Sequence, residues 1–207
     1  RTEMVSGGLP LHITRQIVGD ACSPQPRSLY IHVPFCLSIC SYCDFFRKPY
    51  EREEAEAYLD ALEVEARWLP QGFSPRTLYV GGGTPSALDE GQLERLLRIL
   101  RPFRASAVEF TVEVNPLSAS PAKLSLCAAA GVNRVSLGVQ SFVEAELRQT
   151  GRTHTAGMVE RDVALLRAEG IEEINIDLIA GLPHQNATGW KESLDWTERL
   201  APSHVSV

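Results

Sequence analysis

The 207 residues carry 44% hydrophobic and 22% charged side chains, the balance of a globular chain able to bury one substantial core. A net charge of −6 argues against a nucleic-acid backbone as the main partner, and no run of about 18 apolar residues is present to cross a bilayer. Five cysteines are few for this length and no secretory leader is visible, so a disulfide framework is not their expected use.

The first 27 residues are rich in Gly, Pro and polar side chains without periodicity, and read as an irregular leader. Cys22 lies there and reads as an unliganded thiol. A core domain is expected over residues 28–207. Leu29 to Phe35 forms a near-continuous apolar run, the pattern of a strand covered on both faces. It leads into Cys36, Cys40 and Cys43, spaced C-x3-C-x2-C. Glu51 to Leu69 reads as a helix, with Ala55, Tyr58, Leu59, Leu62, Ala66 and Leu69 on one face. Thr77 to Val80 is a strand running into Gly81-Gly82-Gly83-Thr84-Pro85. Asp89 and Gln92 have the spacing of a capping box, and Leu93, Leu96, Leu97 and Leu100 mark a buried stripe. Pro102 is expected to stop that helix.

Val108 to Val114 is the next strand. Ser120-Pro121 opens a helix with Leu124, Cys127 and Ala128 inward and Gly131 at its end. Arg134 to Val139 is a strand followed by Gln140, a short polar helix, and Thr150-Gly151-Arg152-Thr153-His154. Thr155 caps a helix whose stripe is Val159, Val163 and Leu166. Ile174 to Ala180 is a strand, Gly181-Leu182-Pro183 a turn, and Thr188 to Leu200 a helix. A last strand begins at His204, and Ser203 to Val207 looks like a strand cut short.

This is βα repeated five times with a sixth strand begun, which demands parallel strands and right-handed crossovers. An open doubly wound sheet satisfies the pattern too. Cys36, Gly81 to Thr84, Glu113, Gln140 and Asp177 all fall at or near carboxyl ends of successive strands. In a (β/α) barrel those ends share the rim on which active sites are built. The expected fold is therefore α/β, a partial (β/α)6 barrel truncated at strand six, with the C-terminal part of a longer protein absent.

Three thiolates from one loop suit an iron–sulfur cluster, zinc or copper(I). Zinc would want a fourth ligand, for which His32 is available. Three cysteines on a four-iron cluster would leave one iron open to a small molecule. The glycine triplet permits close backbone approach, or simply makes a tight turn. Glu113 is a carboxylate in an apolar strand that needs a partner unless it faces solvent. Arg152 lies in a loop, where an arginine is ordinarily solvated, although its fork suits a carboxylate. Cys127, on an apolar helix face, reads as a small core residue.

The cysteine spacing on the first strand of such a repeat resembles the radical S-adenosylmethionine (SAM) superfamily. Leu29-Tyr30-Ile31-His32-Val33-Pro34-Phe35-Cys36 is similar to the oxygen-independent coproporphyrinogen oxidase group and its relatives, the HemW-type heme chaperones. The resemblance implies a 4Fe–4S cluster held by Cys36, Cys40 and Cys43, with the open iron chelating the amino and carboxylate groups of SAM. It implies SAM contacts from Tyr30, Tyr42, Gly82, Gly83, Thr84, Glu113, Gln140, Arg152 and Asp177. Oxidases of this group carry a further cysteine two residues after the third, where this chain has Phe45. That departure turns the expectation towards a chaperone that binds heme and passes it to an acceptor protein. Oxidative decarboxylation of coproporphyrinogen III by a SAM-derived radical, with an electron donor, is the alternative. His32, His154 and His184 are expected to be local hydrogen-bonding residues, not heme ligands. A cytoplasmic location is expected from the thiol-held cluster, and a homodimer is compatible with everything above.

Overall fold

The computed structural model describes residues 28–207, so the leader and Cys22 lie outside the described residues. In chain order the elements are β1 (Ser28–Val33), β2 (Phe35–Cys36), β3 (Lys48–Pro49), α1 (Arg52–Ala66) and β4 (Thr77–Gly82). A short 3-10 turn (Pro85–Ala87), α2 (Glu90–Arg104), β5 (Glu109–Val114), α3 (Pro121–Ala129) and β6 (Arg134–Gln140) follow. The rest comprises α4 (Glu144–Gln149), α5 (Ala156–Ala168), β7 (Glu173–Leu178), α6 (Ala187–Leu200) and β8 (His204–Ser206).

Six strands form one sheet in the order β1-β4-β5-β6-β7-β8, and every pair is parallel. The order follows the chain without reversal. A doubly wound sheet would reverse direction at a switch point, so the sequential order selects the singly wound, barrel-type arrangement. The long helices pack as sequential neighbours along one side, α1 on α2, α2 on α3, α3 on α5 and α5 on α6. Among the described residues β1 and β8 share no ladder, which leaves a partial barrel, an arc with two edges.

The strands alternate strictly. Ile31, Val33, Leu78, Val80, Phe110, Val112, Val135, Leu137, Ile174 and Ile176 are buried under the helices. The opposite face carries a polar lattice in register: Tyr79 beside Thr111, Thr111 beside Arg134, Glu113 beside Ser136, Ser136 beside Asn175, and Asp177 beside Ser206. This corrects the expectation of a first strand apolar on both faces. Tyr30 is 55% exposed and lies on the polar face with His32, in register with Tyr79 and Gly81. The apolar core is thus one layer between sheet and helices, and the polar face lines the concavity.

Local chemistry explains the helix starts. Asp89 and Gln92 form a reciprocal capping box on α2, while Ser120, Thr155 and Asn186 accept first-turn N–H groups of α3, α5 and α6. Leu93, Leu96, Leu97 and Leu100 are buried as the stripe predicts, each contributing roughly 1.5–3 kcal/mol. Pro102 does not stop α2, which runs on to Arg104. The proline forfeits one hydrogen bond close to the helix end. Burial of Phe103, and Arg104 donating to the Gly131 and Ala107 carbonyls, offset that loss.

Candidate cofactor site at the carboxyl rim

The cysteine loop leaves β1 at the carboxyl rim and is tied down at both ends. Its flanks pair as the short parallel ladder of β2 and β3, with Lys48 N–H donating to the Pro34 carbonyl and Tyr50 N–H to the Cys36 carbonyl. Arg47 donates to the carbonyls of Cys40 and Phe45. Cys36 and Cys40 are buried and Cys43 half-buried, and none is in a disulfide. Burial pushes the Cys36 thiol up, and neighbouring Cys43 and Cys40 push it the same way. Thr84 opposes this by donating its hydroxyl to Cys36 Sγ at 3.6 Å. A thiol held near other thiols and raised by their charge gains most from a cationic iron or zinc that binds the thiolate.

The donor set is soft and short by one. Among the described residues no three His, Cys, Asp or Glu side chains stand together as a ready-made single-ion site. His32 is turned away from the thiols: Nδ1 lies 3.0 Å from Tyr30 Oη and Nε2 lies 2.8 Å from the Phe46 carbonyl. It is therefore the local hydrogen-bonding histidine expected, and the zinc alternative loses its fourth ligand. Cys127 is buried on α3, remote in role, with burial pushing its thiol up to about 12. The chemistry of the donor set, three free thiols on one loop, is what a cluster with one open corner would use.

The glycine triplet is packed, not merely turned. A Cβ on Gly81 would lie 2.6 Å from the Glu113 carboxylate, and one on Gly82 only 2.5 Å from the His32 ring. One on Gly83 would lie 2.7 Å from the Pro34 carbonyl carbon. Gly82 also has φ +113°, a backbone region that side chains avoid. Gly83 N–H donates to the Val33 carbonyl and Thr84 N–H to the Phe35 carbonyl, so the triplet zips onto the cysteine loop. Glu113 is the carboxylate beneath it. Tyr79 donates its hydroxyl to Oε1 at 2.7 Å and Gly82 its N–H to Oε2 at 3.0 Å. Burial raises the Glu113 pKa against those two donors, with Asp177 adding to the rise. The partner that sequence logic demanded is Tyr79, which the sequence had marked only as a strand residue.

The far side of the rim is joined to the loop by Arg152. Its Nε donates to Tyr42 Oη at 3.0 Å and Nη1 to the Gly138 carbonyl, while Ser41 N–H donates to the Thr150 carbonyl. Burial pushes the Tyr42 phenol up, so it stays a neutral acceptor here. Gln140 ends β6 with φ +69°, at a register shift after Gly138. Asp177 accepts from Ser136 Oγ at 2.8 Å and Asn175 Nδ2 at 2.6 Å. Tyr30, Tyr42, Gly82, Gly83, Thr84, Glu113, Gln140, Arg152 and Asp177 thus share the rim or the concave face next to it. Arg47, Tyr79, Ser136 and Asn175 hold them and were not foreseen. Only the strand period, which puts Tyr79, Ser136 and Asn175 on the same face as Glu113 and Asp177, could have suggested them.

One expectation about the histidines fails. His154 is only 1% exposed, and neither ring nitrogen makes a hydrogen bond of ordinary geometry among the described residues. His184 sits exposed in a turn with φ +64°. Leu37, Ile39, Phe45 and Phe46 leave an exposed apolar fringe on the cysteine loop, with Phe45 71% exposed.

A singly wound parallel α/β arc, with a three-thiol loop on its first strand and a glycine-rich second strand beside it, defines a class. The radical SAM superfamily model matches residues 30–197, and the chain belongs to that superfamily. Membership implies a 4Fe–4S cluster and SAM. The chain is 42% identical over 188 residues to the heme chaperone HemW of Lactococcus lactis, covering 88% of this chain and 48% of that one. It is 39% identical over 188 residues to HemW of Bacillus subtilis, covering 87% and 49%. Among solved structures, coproporphyrinogen III oxidase (HemN) from Escherichia coli matches with a TM-score of 0.79 at 34% identity, over 87% of this chain and 44% of that one. The chain thus spans about half the length of the relatives it matches. No helix among the described residues is long and apolar enough to cross a membrane.

Proposed function

We propose that this chain is the cluster- and SAM-binding core of a heme chaperone, a protein that binds heme and transfers it to an acceptor. The observation that carries the reading is Phe45, which stands where the porphyrinogen-oxidising relatives are expected to have a fourth cysteine. The similarity to two HemW chaperones supports it. Cys36, Cys40 and Cys43 would hold the cluster. Gly82, Gly83, Thr84 and Glu113 would border the amino-acid end of SAM. Gln140, Arg152 and Asp177, with Tyr30 and Tyr42, would border the rest.

When bound, the cluster would supply an electron to SAM. The chain's own residues do the positioning. Tyr79 and Gly82 fix the Glu113 carboxylate, and the Tyr42 hydroxyl and Gly138 carbonyl fix the Arg152 fork so that its remaining N–H can meet a carboxylate. The exposed Leu37, Ile39, Phe45 and Phe46 provide an apolar fringe suited to a planar tetrapyrrole. A thiol-held cluster needs a reducing compartment, so the proposal includes the cytoplasm.

The second reading, oxidative decarboxylation of coproporphyrinogen III, is favoured by the close structural match to HemN. Anaerobic reconstitution followed by heme titration tests the pair. A saturable heme absorption band, with no carbon dioxide released from coproporphyrinogen in the presence of SAM and reductant, is expected. Stoichiometric carbon dioxide release would replace the first reading with the second. Cys36→Ser, Cys40→Ser and Cys43→Ser are each expected to abolish the cluster absorption, and retention of it in any one would remove that residue from the ligand set.

A further inference from the structure

In the loops that follow β6 and β7, a polar cluster has no part in the site described so far. Glu146, in the first turn of α4, is 3% exposed and has no salt-bridge partner among the described residues. A buried carboxylate without a cation is costly unless neutral donors satisfy it. Here one oxygen, Oε2, accepts from two of them. Ser141 Oγ donates at 2.7 Å and Gln185 Nε2 at 3.0 Å. The other oxygen lies against Gly189 in the first turn of α6, where any Cβ would collide with it. Glycine is a poor helix residue, so its use there fits a need for that space.

The two donors belong to different loops. Ser141 follows Gln140, and its hydroxyl also accepts the Val143 N–H at 2.9 Å. Gln185 closes the loop that follows Asp177: its Oε1 accepts the Gly181 N–H at 2.6 Å, and its Nε2 also donates to the Ile179 carbonyl. The roots of the loops touch directly, with Ile179 N–H donating to the Gln140 carbonyl at 2.9 Å. Ser193 of α6 reaches across as well, accepting the Phe142 N–H at 3.1 Å. One carboxylate oxygen therefore clamps together two loops, each rooted at a proposed SAM contact. Both loops hold strained backbone, φ +69° at Gln140 and φ +64° at His184, which needs an external brace to persist.

We propose that Glu146, acting through Ser141 and Gln185, is a positioning residue that sets the spacing of Gln140 and Asp177 for the adenosyl half of SAM. The inference rests on the SAM reading of the rim. Glu146 itself touches neither cluster loop nor glycine triplet, so its effect is confined to the nucleoside end.

The test measures SAM and methionine affinities by calorimetry on the cluster-reconstituted protein, anaerobically. Unaltered protein, Glu146→Ala, Glu146→Gln, Gln185→Ala and the Glu146→Ala/Gln185→Ala double variant are compared. Each alanine variant is expected to weaken SAM about tenfold, the loss of one or two hydrogen bonds of ordinary strength. The double variant should be no weaker than the worse single one, because both break one clamp. Glu146→Gln, which keeps an acceptor oxygen, should lose less. Iron and sulfide content and methionine affinity should not change. SAM binding at full affinity in both alanine variants, or equal losses for SAM and methionine, would overturn the proposal. Gln185 is only half-buried, so its variant decides the matter if Glu146→Ala does not fold. Failure of the unaltered protein to bind SAM would instead remove the reading of the rim itself.

Discussion

His154 is the residue whose environment makes the sharpest demand on solution behaviour. It is buried, unpartnered, and two residues from the Arg152 guanidinium. Burial first, and the Arg152 charge second, lower its pKa from the ordinary 6.5 to about 4, against a weaker pull from the Val139 backbone. The unfolded chain takes up a proton near pH 6.5 that the folded chain refuses until about pH 4. Stability is therefore full above the unfolded value, falls as pH drops between the two, and levels off below the folded value. The whole gap corresponds to about 3 kcal/mol. Between about pH 7 and about pH 5 the expected loss is about 2 kcal/mol. With an ordinary urea slope that is a midpoint shift of roughly 1 M. Glu113 and Asp162 have raised pKa values, so they act in the opposite sense as the pH falls. Comparing the protein with His154→Gln at each pH cancels them. Urea unfolding of the cluster-free protein is the assay, which avoids acid-labile sulfide. The stability difference between the two proteins should shift by about 2 kcal/mol in favour of the variant on going to the lower pH. A difference that stays constant with pH would refute the claim that His154 is held neutral by its surroundings.

Other outcomes follow from single contacts. Gly82→Ala must drive a methyl group into the His32 ring, which Tyr30 and the Phe46 carbonyl hold in place, and must do so at φ +113°. A loss of about 2–4 kcal/mol in urea unfolding is expected, and a change under about 0.5 kcal/mol would show that the ring yields freely. Tyr42→Phe deprives Arg152 Nε of its acceptor and should weaken SAM binding about tenfold. Unchanged affinity would mean the Gly138 carbonyl alone orients the fork. Asp89→Ala removes the half of the α2 capping box in which Gln92 N–H donates to Asp89 Oδ1, and should cost about 1 kcal/mol of stability with cluster content unaffected.

The repeat was legible because each βα unit announces itself locally. Caps such as Asp89 with Gln92, Ser120 and Thr155, and stripes such as Leu93 to Leu100, depend on neighbours three or four residues away. The rim was legible because odd residues, cysteine, glycine and acid, recur at strand ends. What escaped is nonlocal. The Tyr42–Arg152 bond spans 110 positions, and no period reports it. The Glu113–Tyr79 and Asp177–Ser136 bonds need a strand register that only the folded sheet supplies. The two-residue strands β2 and β3 are too short for any alternation to show. Pro102 misled because a helix-breaking rule was applied where only one bond remained to be lost, and Glu146 lies in a helix that the sequence marks only as short and polar.

The tether between the cysteine loop and Arg152 has a consequence for how the chain reaches this state. Each strand of the sheet pairs with the one made just before it, so the ladder can grow in step with synthesis, amino end first. The thiols emerge early, on the opening unit. Yet two hydrogen bonds that immobilise their loop, Ser41 N–H to the Thr150 carbonyl and Arg152 Nε to Tyr42 Oη, need residues three strands of the main sheet later. Long-range closure of this kind is late in folding. Until it happens the loop has its ties to Arg47 and to the glycine triplet but lacks these two. The cysteine loop is thus completed by a contact that reaches 110 positions along the chain, and a cluster taken up before that contact forms would meet a less constrained loop.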